Sequence, residues 1–270
     1  MGQELMTLKK YMETPAISEG LEKLLGKKAQ AFKSNLNLIC QNNSLLQRCE
    51  PMSIVGAAIC ATVNNLSLTP SLGQAYIVPY GKAAAFQIGF KGLIQLAHRT
   101  GQYQTLHAGK VHEGEFNGFN PFTGEPERGE RISDNVVGYV AYMRLINGFE
   151  KYLYMTIEEL KTHAEKYSQS YAYDQRYGKK SSPWSTSFDA MASKTVLKLL
   201  LNRWGILSTE MADAINADQS VVSKKYYRYI DNGGNKQDRE GVYTVADDVI
   251  DVSEMAEVTE EVQPDAPEVE

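Results

Sequence analysis

What this chain has little of narrows it first. Cysteine is scarce: Cys40, Cys49 and Cys60 are the only three in 270 residues. An odd number, without metal-ligand spacing, makes neither a disulfide framework nor a zinc site. Buried free thiols in a reducing cytoplasm are expected. No apolar run approaches the ~18 residues of a membrane span, and no signal-peptide pattern precedes the body. The phosphate-cradling spacing G-x-x-x-x-G-K-[ST] is missing, since Gly73 to Lys82 and Gly178-Lys179 both fail it. A nucleotide-driven motor therefore has no visible engine. His98, His107, His112 and His163 form no H-E-x-x-H pattern, and no G-x-S-x-G elbow occurs. No cofactor is implied.

The most telling absence is of negative charge. Residues 51–112 contain no Asp or Glu, while Lys82, Lys91, Arg99 and Lys110 supply cations, with His98, His107 and His112 between them. The net charge of −5 hides this, because ten of the 33 acids fall after residue 246. The first 246 residues hold 28 basic against 23 acidic side chains, a body of +5. A surface facing an anionic polymer needs such a carboxylate-free run, since each carboxylate would repel phosphate. Charge alone leaves equal room for an ordinary enzyme with a solvated acidic tail.

With 43% hydrophobic residues the chain can build a sizeable core. Residues 1–16 show little periodicity. Leu21, Leu24, Leu25, Ala29 and Phe32 fall at helical spacing over 18–33, and a second helical pattern covers 34–40. The apolar faces of these helices can either complete the core or dock on a neighbouring subunit, the second being the reading favoured for the first helix. Pro51 opens a helix to Val63 that is apolar nearly all round and so reads as buried. Strands are expected over 74–80 and 83–88, the first at an edge because of Pro79. A short helix over 90–100 and a strand over 103–112 follow. Residues 113–135 read as loop. Asn147-Gly148 marks a hairpin between strands 136–146 and 149–155. Thr156 and Glu159 form a capping box for a helix to about Tyr167. Residues 168–182 read as a polar, Tyr-rich connection, then one helix runs over 184–204 and another over 208–216. The signals fade after Ala217. From residue 246 the composition is acidic and of low complexity, expected to be disordered in isolation. The class is α+β: a central antiparallel sheet with β-hairpins packed against helices. The expected division is a core over 1–220 and a flexible acidic tail over 221–270.

Two constellations could carry function. On the helix over 90–100, Lys91 and Arg99 lie within about 80° of each other around the axis, with His98 beside Arg99. They can face one line of phosphates. The cluster 176–203 holds Arg176, Lys179, Lys180, Lys194, Lys198 and Arg203 against a single acid, Asp189. Lys194 and Lys198 share a helix face. Trp184, Phe188 and Trp204 read as core, whereas Tyr103, Tyr173 and Tyr177 read as exposed rings on which bases could stack. Together the two segments would wall a basic groove.

The stretch LSLTPSLGQAYIVPYGKAAAFQIGFKGLIQLAHRTGQY, residues 66–103, resembles the signature block of the RecT family of phage and prophage annealing proteins, and SPWSTSFDAMASKTVLKLLLNRWG resembles its second block. The resemblance implies a non-hydrolytic protein that binds single-stranded DNA and anneals complementary strands without ATP. It implies rings or helical filaments of one chain, an exonuclease partner, and a fold distantly like ring-forming eukaryotic annealing proteins. The family's motif positions correspond here to Lys82, Phe86, Gln87, Phe90, Lys91, Arg99, Tyr103, Trp184, Phe188, Lys194, Lys198 and Arg203. The candidate DNA-binding set is completed by His98, Lys110, Arg176, Tyr177, Lys179 and Lys180. Passive strand protection, a nuclease and a replication adaptor are the rival readings.

Overall fold

The computed structural model describes residues 7–222 and 227–229. The acidic stretch after residue 246 lies outside them. Three helices open the chain: α1 (Leu8–Met12), α2 (Pro15–Leu25) and α3 (Ala29–Gln41). Two of these differ from the sequence expectation. A helical turn forms where periodicity was weak, because the Thr7 side chain accepts the Lys10 N–H as a cap. The single helix expected over 18–33 is broken at Gly26, whose φ of +53° a helix interior cannot hold. Met12, Ile17 and Leu21 are fully buried within this chain, and the Lys33 ammonium donates to Ser18 Oγ at 2.7 Å, fastening α3 to α2. The apolar side of the N-terminal helices thus packs into this chain's own core.

Helix α4 (Pro51–Val63) is the buried helix its composition foretold. Its one interior hydroxyl, Ser53, donates to the Glu50 carbonyl and accepts the Ala84 N–H, so nothing polar is orphaned there. It packs on β1 (Ala75–Tyr80) and β2 (Ala83–Ile88), an antiparallel pair with β1 at the edge, as Pro79 required. Helix α5 (Phe90–Arg99) follows. Gly92 and Gly89 are glycine because a Cβ on either would lie 2.1 Å from a carbonyl of the Gly73-Gln74 turn. That close approach fixes where α5 begins.

A second sheet holds β3 (Tyr103–His112), β6 (Val136–Leu145) and β7 (Glu150–Thr156), antiparallel in the order β3-β6-β7. Between β6 and β7, Gly148 supplies a φ of +86° in the loop closed by Leu145 and Phe149. The segment read as loop holds a small hairpin, β4 (Phe116–Phe119) with β5 (Pro126–Arg128). Its sequence hid it behind Gly, Pro and Asn; the Phe116 ring gives it purchase on Tyr154, centroids 4.1 Å apart.

The capping box at Thr156 starts α6 (Ile157–Tyr167). The connection read as irregular is then helical, α7 (Gln169–Tyr177), because Tyr171 and Asp174 on one side are buried. Asp174 accepts from the N–H groups of Ser181 and Ser182 and the hydroxyls of Ser181 and Ser185 at 2.6–2.9 Å. Burial alone would raise its pKa, but these bonds hold the carboxyl below the usual range. Ser187 breaks the expected long helix into α8 (Pro183–Thr186) and α9 (Phe188–Trp204). Helix α9 covers one face of the β3-β6-β7 sheet, meeting the alternate residues Tyr139, Ala141 and Met143, and packs against α5. After α10 (Thr209–Ala217), where sequence signals fade, the chain adds β8 (Ser220–Val222) beside β2, with β9 (Tyr227–Tyr229) outside it.

Candidate nucleic-acid interface

The sequence-predicted residues fall into several groups rather than one. Lys82 stands exposed in the β1–β2 turn. Six residues of β2 separate it from the start of α5, about 20 Å at strand rise. Lys91 is exposed on the first turn of α5, its methylenes beside Gly73. Gln87 and Phe90 flank that corner half-buried, and Phe86 is fully buried. His98 is exposed in the last turn. Arg99, although exposed, donates from both terminal nitrogens to the carbonyls of Asn64 and Asn65 at 2.7 and 2.6 Å. It closes the C-terminal end of α4, where such carbonyls lack helical partners.

The α9 lysines lie against the end of β2. Lys198 pairs with Asp218, whose other oxygen accepts the Ile88 N–H at 2.7 Å. Lys194 is buried alongside. Burial pushes the Asp218 carboxyl up, but Lys194, Lys198 and the Ile88 N–H together outweigh it and hold the pKa below the ordinary value. The structure therefore ties Lys198, through Asp218, to the Ile88 amide at the end of β2 and at the same time neutralises it. On the neighbouring α6, burial and the charge of Lys198 lower the His163 pKa.

Lys110 likewise meets an acid, Asp189, which also accepts from the Tyr139 hydroxyl. Those two donors hold Asp189 below the carboxylate range. Arg176, Tyr177, Lys179 and Lys180 form an exposed corner at the end of α7. There the Lys179 ammonium lies 5.3 Å over the Tyr173 ring, which meets the Tyr177 ring at a tilt of 45°, centroids 4.6 Å apart.

The last group corrects the sequence reading. Trp184 is buried, 5% exposed, and Phe188 packs edge-on to it. Trp204 is not core: it is 39% exposed, with Lys151 Nζ 4.8 Å and Arg203 Cζ 5.3 Å from its ring centroid. Tyr103 anchors this end, its hydroxyl donating to the Ile206 carbonyl at 3.0 Å, and burial pushes its pKa up to about 12. Periodicity could not expose Trp204, because it stands at the last residue of α9, where a helical stripe no longer dictates burial.

A further aromatic row had no sequence signal beyond alternation. On the β3-β6-β7 face away from α9, Tyr142 stacks on its cross-strand partner Tyr152 at 4.6 Å. Arg128 lies 5.9 Å over the Tyr152 ring and donates to its hydroxyl at 3.3 Å. None of the ion pairs among the described residues involves Lys82, Lys91, Arg128, Lys151 or Arg203. Among the described residues, no group of His, Cys, Asp or Glu is arranged to hold a metal ion. Among them, too, no helix is long and apolar enough to cross a membrane.

Fold and surface together define an α+β protein that offers cations and rings on several faces. The RecT family model matches residues 29–231, and the chain belongs to that family. It is similar to the uncharacterized protein YqaK of Bacillus subtilis (strain 168), 42% identical over 215 residues, covering 79% of this chain and 72% of that one. Similarity extends to protein RecT of Escherichia coli (strain K12), 29% identical over 185 residues, covering 64% and 65%.

Proposed function

We propose that this protein binds single-stranded DNA and anneals complementary strands, without nucleotide hydrolysis, as an oligomer on DNA. Membership of the RecT family over three quarters of the chain carries the reading. The surface supports it: exposed Lys82, Lys91 and His98 stand in a 62-residue run without a carboxylate. Affinity would come from phosphates, and specificity from pairing between the two strands, so no base-reading side chain is required. Each stacked base step releases about 1.4 kcal/mol, which makes annealing downhill. The protein's work is to screen and align the strands. Few cations per subunit bind weakly alone, so a ring or filament multiplies the contacts. An exonuclease that generates single strands is the matching partner, and the bacterial cytoplasm the matching compartment.

The decisive measurement mixes two complementary oligonucleotides, labelled as donor and acceptor, with protein and no nucleotide. Energy transfer should rise faster than for DNA alone. Binding without acceleration would make the protein a passive strand protector. Lys91→Ala should lower the slope of log affinity against log salt by about one, and an unchanged slope would remove Lys91 from the interface.

A further inference from the structure

The loop of the β4–β5 hairpin and the β7 edge of the second sheet enclose an open recess of about 490 Å³. Its size suits a single nucleotide. Tyr152, Arg128 and Lys151 are among the residues that line it. Two carboxylates also face it, Glu125 and Glu150. Glu150 is paired with Arg144 at 3.3 Å, whereas Glu125 accepts only from the neutral Thr123 Oγ1 at 3.3 Å and keeps its charge, so Arg128 and Lys151 leave the recess with one net positive charge. Arg128 donates only to the neutral Tyr152 hydroxyl, and Lys151 meets only the Trp204 ring, among the described residues. Gly124, held at a φ of +72°, brings the hairpin loop beside the Lys151 ammonium, 2.9 Å from where a Cβ would stand.

We propose that this recess is a nucleotide subsite for single-stranded DNA, with a base stacked at Tyr152 and its phosphate held by Arg128 and Lys151. The ring is braced from behind by Tyr142, so stacking requires no reordering of Tyr152. A cation over a ring and a second within reach of the same nucleotide form the mixed platform that sequence-tolerant strand binding uses. The subsite rests on the DNA-binding reading above, yet it lies on β5 and β7, apart from Lys82 and Lys91.

Trp204 makes it observable, since a phosphate that draws Lys151 from the indole must change its emission. Two readings are taken together during titration with oligo-dT: anisotropy of the labelled DNA, and tryptophan fluorescence of wild type and Trp204→Phe. The expected result is a fluorescence change that Trp204→Phe lacks. Tyr152→Leu, Arg128→Gln and Lys151→Gln should each weaken binding five-fold or more. Tyr152→Phe keeps the ring and the Tyr142 stack, so it should bind nearly as wild type and show that the sheet is intact. With an abasic oligomer, Tyr152→Leu should cost nothing. If DNA binds while Trp204 emission stays still and the three variants match wild type, the subsite is wrong and DNA binding stands. If no oligonucleotide binds at all, the functional reading itself fails and the subsite goes with it.

Discussion

The middle of α9 and its C-terminal end carry the same residue types and treat them in opposite ways. At the middle, Lys194 is buried and Lys198 is locked to a carboxylate that is itself inside the protein. At the end, Arg203 lies over an exposed indole with Lys151 as its companion, and no acid among the described residues pairs with either. One helix thus holds cations that fasten the fold and a cation that faces solvent. Charge read along a sequence gives the number of cations; only burial and partners decide which of them a phosphate can reach.

The contrast can be broken most severely at its buried side. Lys198→Met takes from buried Asp218 its hydrogen-bonded cation, leaving Lys194 and the Ile88 N–H, and breaking such a buried pair costs about 3–5 kcal/mol. Thermal unfolding should show a drop of roughly 10 °C at this chain size. A melting point equal to wild type would mean that Asp218 is no lock. Leu21→Ala should cost about 2–5 kcal/mol through the cavity it leaves. Because Leu21 packs within its own chain, that loss should not depend on protein concentration; a concentration-dependent loss would restore the neighbour-docking reading of α2.

Acid titration sharpens the same comparison. The folded pKa of Asp218 is held below its unfolded value, and so is that of Asp174. Their stabilisation is therefore present above about pH 4, the unfolded carboxylate range, and disappears as pH falls through the folded values. In Lys198→Met the burial of Asp218 is less opposed, so its loss should move to higher pH. Denaturation midpoints across pH 3–6 would show the shift, and parallel curves for variant and wild type would contradict it. At the exposed end the effect should be smallest. Arg203→Gln should change stability by less than about 1 kcal/mol, the worth of an exposed cation–ring contact, while weakening DNA binding if that end meets the strand.

Much of the fold was legible. The strands flanking Gly81-Lys82, the short helix after Gly89 and the capping box at Thr156 follow from local chemistry that tertiary contacts do not override. The failures share a cause. Helix α7 has poor intrinsic propensity and forms because Tyr171 and Asp174 find buried partners in the turn and short helix that follow it. The β4–β5 hairpin depends on a ring of β7, and β8 depends on the open side of β2. Most cations of the candidate interface were legible as residues; Arg128 and Lys151 were not, because only the hairpin and sheet bring them to rings. The separation of the cations was not legible either, because the acids that engage Lys110 and Lys198 lie 79 and 20 residues away in the chain.

Strand β8 has one more consequence. The Ile88 amide and the Phe86–Ser220 pairing must wait for a segment about 130 positions further on. Until the ribosome has delivered that segment, β2 exposes a raw hydrogen-bonding margin, the kind that recruits foreign strands. Shortened forms ending before Ser220 should accordingly clump during synthesis, however well their helices assemble.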